Sequence, residues 1–367
     1  MKVLRVINTL NIGGAERSII GNVPLHISHN IETDVLLLNG RNTFFIDELK
    51  KKNVKIFSLA KHEGVLRLYN PFHVFKIMKY IDKYDIVHAH LFPALYWVAI
   101  AKILKRSKTK LVLTEHQTYN RRRKYGWFFR KIDGYLYKQF ETIIAISPEC
   151  KSNLEEHIGK SDKIKMIYNG IDFSPFNSSE IIPVLDFIPE TTDSKKIIIT
   201  QIAAFRKEKD QDSVIRALKH LPSNYYVVFV GDGERKSNCE KLAKTEKVDN
   251  RIFFLGFRED VVDILKSSDI IVMSSYFEGF GRSAVEGMAA EKPILATNVP
   301  GLSQIIDEGG LLFEVGDDKR LAELIIKVSQ DKELYDRLAK TGKEKARIFD
   351  LETMVEKYEE VYHELIK

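Results

Sequence analysis

Ile270-Ile271-Val272-Met273-Ser274-Ser275-Tyr276-Phe277-Glu278-Gly279-Phe280-Gly281-Arg282-Ser283-Ala284-Val285-Glu286 reads as a buried strand, a glycine turn and the opening of a helix that runs on to Ala290. A short, continuous apolar run bounded by turn residues is the mark of a parallel strand covered on both faces. A helix N-terminus behind a glycine turn presents free backbone N–H groups to an anionic or hydroxyl-rich ligand. Glu278 and Glu286, eight positions apart, bracket that turn and can face one crevice, with no metal-site spacing. By themselves they read equally as a helix N-terminal acid and a solvated acid.

The same pattern recurs in both directions. Before it come apolar strands at Lys2–Asn8, Asp34–Leu38, Val54–Leu59, Ile86–Ala89, Leu111–Thr114, Ile143–Ile146 and Ile164–Ile167. Helical segments alternate with them, among them Pro71–Tyr84, with Phe72, Phe75, Ile77 and Met78 on one side, and Ala94–Leu104. Phe173–Asp193, with Pro175, Pro183 and Pro189, reads as a linker. Alternation restarts at Lys196–Ile202 and continues through Tyr226–Val230, Ile252–Leu255, Ile270–Met273, Ile294–Ala296 and Leu311–Phe313. The expectation is α/β: two doubly wound domains, 1–175 and 194–345, facing each other across a cleft at their strands' carboxyl ends. Three helices close the chain. The last, Leu351–Lys367, has an apolar seam at helical spacing and is expected to return to the first domain.

Bulk properties narrow the classes. A chain of 367 residues, 44% hydrophobic and 29% charged, suits two soluble domains and excludes disordered or fibrous classes. Cys150 and Cys239 are the only cysteines, so no disulfide framework or zinc cluster is expected, and a reducing, cytoplasmic setting is. No stretch approaches a membrane span, and Met1–Leu10 is too short an apolar run for a secretory leader.

Several constellations sit at strand ends. Gly13-Gly14 follows the first strand, where glycine lets backbone approach a phosphate or sugar, or simply makes a tight turn. It is not a dinucleotide fingerprint. His88 and His90 end the fourth strand on one side of the sheet, and His116 follows the fifth; at least one functional histidine is expected there. Arg206, Lys207 and Lys209 follow the second domain's first strand and could clamp a diphosphate, or be loop charges in water. Gly231-Asp232-Gly233 is another turn after a buried strand. Tyr119–Lys131 interleaves Arg121, Arg122, Arg123, Lys124, Arg130 and Lys131 with five aromatic residues. That suits a membrane surface or lipid-linked acceptor, with a plain solvated face and nucleic acid as the other readings. No Asp-x-Asp stands in a setting suited to a metal on a diphosphate, so no metal or cofactor is expected.

With these residues placed, the chain resembles the retaining, nucleotide-sugar-dependent glycosyltransferases of family 4, which have the GT-B fold. The carriers are Gly13–Arg17, Asp85–His90, Thr114–His116, Ile146-Ser147, Tyr168–Asp172, Val230–Gly233, Phe254–Phe257, Lys292–Thr297 and above all Glu278–Glu286. The resemblance implies that Glu278 contacts donor-sugar hydroxyls and Glu286 the ribose. The amides around Gly279, Phe280 and Gly281 would serve sugar and phosphates. Lys209, with Arg206 in place of the arginine the family often has at Ala204, would hold the diphosphate, and Gly231 and Phe257 would line the donor site. Gly13, Gly14 and His116 would approach from the first domain, with His90, Arg121, Arg122 and Arg123 on the acceptor side. Gln304 and Arg282 depart from the family's usual glutamate and apolar residue.

The implied function is transfer of a sugar, UDP-linked by default, to a glycan or lipid-linked acceptor in surface-polysaccharide assembly. The protein would be cytoplasmic or peripheral on the membrane's inner face, with no nucleic-acid partner. The alternatives are a GT-B nucleotide-sugar epimerase and a catalytically silent nucleotide-binding subunit.

Overall fold

A computed structural model describes residues 1–11, 13–40, 44–60, 65–116, 126–177 and 196–367, and divides into two compact units. Met1–Gly170 with Leu351–Lys367 forms the first unit, and Ile171–Asp350 the second. In the first, β1 (Lys2–Ile7), β2 (Glu32–Leu37), β3 (Ile56–Ser58), β4 (Ile86–His90), β5 (Lys110–Glu115), β6 (Thr142–Ala145) and β7 (Ile164–Met166) build one parallel sheet, in the order β3-β2-β1-β4-β5-β6-β7. The second holds β8 (Ile197–Ile202), β9 (Tyr225–Val230), β10 (Ile252–Phe254), β11 (Ile270–Met273), β12 (Ile294–Thr297) and β13 (Gly310–Phe313), in the parallel order β10-β9-β8-β11-β12-β13. Strand order reverses between β1 and β4, and again between β8 and β11. Those are the points where an open α/β sheet leaves a crevice at its carboxyl ends.

The continuous apolar runs follow from burial on both faces. Leu4, Val6, Val87 and Leu113 pack on one side of the first sheet; Val3, Ile86, Val112 and Ile144 pack on the other. The second side is covered by the helix Leu351–Ile366, whose Met354, Val355, Tyr358, Val361 and Tyr362 are all buried. Truncating a buried aromatic of that kind costs about 3–5 kcal/mol.

Three expectations change. The helix read over Pro71–Tyr84 is a five-residue helix, His73–Ile77, followed by a 3-10 turn at Ile81–Lys83. Its inner face is Val74 and Ile77, while Phe72 and Phe75 are exposed and lean on each other at 6.3 Å. The His73 ring reaches the Arg67 carbonyl at 2.9 Å and turns that face of the segment inward. Secondly, Ile171–Asn177 belongs to the second unit, anchored by a backbone bond from Ile171 to Phe349 and a parallel bridge to Asp350. Finally, the second unit extends to Asp350 rather than ending at 345. Most of the expected linker, 178–193, lies outside the described residues, as do Arg121, Arg122 and Arg123.

Candidate active site

In the second unit the loop Ala203–Asp210 leaves β8 and is closed by a turn in which Lys209 N–H donates to the Arg206 carbonyl at 3.0 Å. The loop rests directly on Gly231-Asp232-Gly233. Gly231 has φ +137°, and a Cβ there would lie 2.2 Å from the Ala203 carbonyl oxygen, so only glycine permits the approach. Phe205 N–H donates to the Asp232 carbonyl at 3.0 Å while its ring is buried against Phe229. Gly231 in turn donates to the Gly256 carbonyl at 2.8 Å, which sets half-exposed Phe257 beside the same turn.

The loop after β11 is tied to the first. Tyr276 N–H donates to the Glu208 carbonyl at 3.0 Å, and Ser274 Oγ to the Asp210 carbonyl at 2.7 Å. These bonds bring Lys209 Nζ against Glu278 Oε2 in an ion pair that is mostly shielded from solvent. The other carboxylate oxygen of Glu278 accepts from Gly279 N–H at 3.1 Å. Gly281, at φ +71°, caps the helix Arg282–Ala289 in a left-handed conformation. Phe280 points away into the core, edge-on to Phe349, so this residue offers the crevice only backbone. One turn into the helix, Glu286 Oε1 accepts from Arg282 Nε at 2.8 Å. Each acid therefore has its own cation. Arg206 and Lys207 are exposed and in no ion pair among the described residues.

The first unit's site residues lie at the carboxyl ends of β1, β4 and β5. Gly13 caps the helix Gly14–Ser28, and nothing lies within 4 Å of a Cβ placed on Gly14. His88 and His90, stacked at 4.4 Å, are fully buried rather than lining an open surface. His90 Nδ1 meets His116 Nε2 at 3.0 Å, so it stands behind His116 and does not reach outward to an acceptor. Burial, reinforced by Arg5, pulls the His116 imidazolium down to about 3 and holds His88 and His90 well below the usual value. No group of three or more His, Cys, Asp or Glu among the described residues is arranged to hold a metal ion.

Arg5 belongs to no motif that spacing marks in the sequence. It is fully buried, with Nη1 against His88 Nδ1 and 3.2 Å from His90 Nε2, and Nη2 2.8 Å from His26 Nε2. Its guanidinium also lies over the rings of Tyr358 and Tyr362 at 5.2 and 5.5 Å. The available signal was a lone charge at the centre of Val-Leu-Arg-Val-Ile. In a strand covered on both faces, such a charge has to be partnered inside the protein.

The family comparisons divide along the same two units. "Glycosyltransferase Family 4" matches residues 12–174, and "Glycosyl transferases group 1" matches residues 186–345. The chain is a GT-B glycosyltransferase of the family 4 type. Among relatives of this transferase, the N-acetyl-alpha-D-glucosaminyl L-malate synthase of Bacillus anthracis is 26% identical over 78% of this chain and 76% of its own. The O-antigen biosynthesis glycosyltransferase WclY of Escherichia coli is 24% identical over 100% of this chain and 99% of its own. The transferase superposes on Anabaena HepE, solved in complex with UDP and glucose, with a TM-score of 0.87 and 23% identity, covering 99% and 100% of the two chains. No helix among the described residues is long and apolar enough to cross a membrane.

Proposed function

We propose that this transferase moves a sugar from UDP to a glycan or lipid-linked acceptor in surface-polysaccharide assembly, with retention at the anomeric carbon. The observation that carries the reading is the Lys209–Glu278 pair beside the N-terminus of the helix Arg282–Ala289, at the point where strand order reverses. An anion-binding helix end, a cation and a hydroxyl-binding carboxylate are what a sugar diphosphate requires. The UDP complex of HepE and the O-antigen role of WclY support the choice of donor and product class.

In this reading Glu278 binds sugar hydroxyls and Glu286 the ribose. Lys209 and Arg206, with the amides of Gly279–Gly281, take up charge on the leaving phosphate, so no resident metal is needed. Neither acid has to act as a nucleophile. The departing phosphate oxygen takes the acceptor's proton on the face where the bond forms. Gly13, Gly14 and His116 belong to the donor's surroundings in the first unit.

Peripheral contact with the membrane's inner face is part of the proposal. Leu66, Tyr69, Phe72 and Phe75 are exposed large apolar side chains, interspersed with exposed Arg67, Lys76 and Lys79, a composition that suits an anionic lipid surface.

The test is thermal-shift titration with UDP, GDP and ADP, followed by donor profiling with detection of the released nucleotide. UDP should stabilise most and a UDP-sugar should turn over. No stabilisation by any nucleoside diphosphate would refute the donor site.

A further inference from the structure

The Arg5 cluster does more than fill the core, because a guanidinium only donates hydrogen bonds. His90 Nε2, 3.2 Å from Arg5 Nη1, therefore has to be the accepting, unprotonated nitrogen. A neutral His90 then carries its proton on Nδ1, and that N–H donates to His116 Nε2 at 3.0 Å. His116 Nε2 being an acceptor, the His116 proton is on Nδ1. That atom is out of contact with water and has no partner among the described residues.

The same logic orders the flanking rings. His26 Nε2 accepts from Arg5 at 2.8 Å and its Nδ1–H donates to Glu359 Oε1 at 2.9 Å. His88 Nδ1 accepts from Arg5, and its Nε2–H donates to Thr114 Oγ1 at 2.7 Å, one residue along β5 from the Glu115 that ends it. Every ring touching Arg5 is thus fixed in one tautomer. One chain of bonds, Arg5 to His90 to His116, ends on an unsatisfied N–H at the carboxyl end of β5, and a buried donor without a partner is a costly feature to retain.

We propose that Arg5 and His90 are positioning residues that lock His116 as a neutral Nδ1–H donor, held for an oxygen of the bound sugar or diphosphate, and unable to serve as a proton acceptor. The assignment of that oxygen to a sugar nucleotide rests on the function proposed above; the tautomer does not. A second protonation of His116 would set two donors against each other at the His90 contact and place another cation within the Arg5 cluster. The ring therefore stays neutral through the reaction, and the proton released by the acceptor goes to the leaving phosphate.

Imidazole 15N spectroscopy on the full chain tests this without substrate. His116 should appear as the Nδ1–H form with no titration between about pH 5 and 8. His116 found as the Nε2–H form, or as an imidazolium in that range, would overturn the proposal. In His90→Phe the tautomer should become mixed, and turnover should fall roughly tenfold or more with KM for the donor little changed. His90→Gln, whose amide can accept from Arg5 and donate to His116, should restore both. A His90→Phe protein that keeps the wild-type tautomer would refute the chain of bonds. If His90→Phe does not fold, the wild-type and His90→Gln spectra decide alone. A correct tautomer in a protein that turns over no sugar nucleotide would instead count against the proposed donor.

Discussion

Lys209 and Glu278 form an ion pair across the ends of β8 and β11, and the pair occupies the point where strand order reverses. A ligand diphosphate competing for Lys209 would free Glu278 for sugar hydroxyls, so the two side chains should act as a unit. Glu278→Ala and Lys209→Ala are each expected to lower turnover by about 100-fold. The double variant should be little worse than the poorer single one, because coupled residues are not additive. Steady-state kinetics on the three proteins checks this. A double variant whose loss equals the product of the single losses would show that the pair does not cooperate.

Gly301 has φ +84°, and a Cβ there would lie 2.4 Å from the Glu278 carbonyl oxygen. Gly301→Ala should cost about 2 kcal/mol or more from strain and displaced backbone, and should lower turnover because Glu278 moves with it. Gly14→Ala meets nothing within 4 Å and stands at the first position of a helix, so its stability should be unchanged or slightly higher. Any loss of donor affinity in Gly14→Ala then reports ligand contact rather than folding. Thermal melts paired with UDP titration separate the two cases.

Arg282 opens a helix, where the backbone dipole favours an anion, and its guanidinium is offset by Glu286 one turn on. Such an i,i+4 pair in the unfavourable orientation contributes within about 0.5 kcal/mol. Arg282→Ser should therefore melt within a few degrees of the parent while weakening UDP binding about tenfold, since a cation kept against the dipole suits a phosphate. Calorimetric titration decides it. Unchanged UDP affinity would leave the residue with no part in donor binding.

Acid should destabilise the first unit. Burial is the main cause holding His26 down to about 4 and His116 to about 3, and it holds His88 and His90 well below 6.5. In the unfolded chain these rings protonate near 6.5, so on falling pH the unfolded state binds protons that the folded state refuses. Stability is then level above that value and declines below it, by up to about 1.4 kcal/mol per pH unit for each ring. Urea midpoints at pH 7.5 and pH 5 measure the effect. Equal midpoints would contradict it.

The thirteen strands among the described residues were legible because most are short apolar runs between turn residues, the composition that burial on both faces of a parallel sheet favours. The Glu278–Glu286 turn was legible for a local reason, a strand end followed by glycines and a helix. What the sequence hid is long-range. Phe72 and Phe75 look like Val74 and Ile77 to a periodicity argument, yet only one pair meets the core. The partners of Arg5 come from residues 22 to 362, and no spacing rule reaches that far. Strand alternation alone puts His88 and His90 on one side, but the surroundings of His88 depend on Tyr358 and Tyr362 in the last helix.

That last helix gives the protein a timetable. The first unit is written in two pieces, 1–170 and 351–367, with the whole second unit encoded between them. As the chain emerges from the ribosome, β1 to β7 can assemble early, but Arg5 still lacks the two tyrosine rings that cover it. The second unit is contiguous and can fold to completion while the first waits. The arginine and its histidines are therefore sealed, and held in fixed tautomers, only when Leu351–Ile366 docks. Enclosure of the Arg5 cluster in the first unit thus waits on a helix encoded after the whole of the second unit.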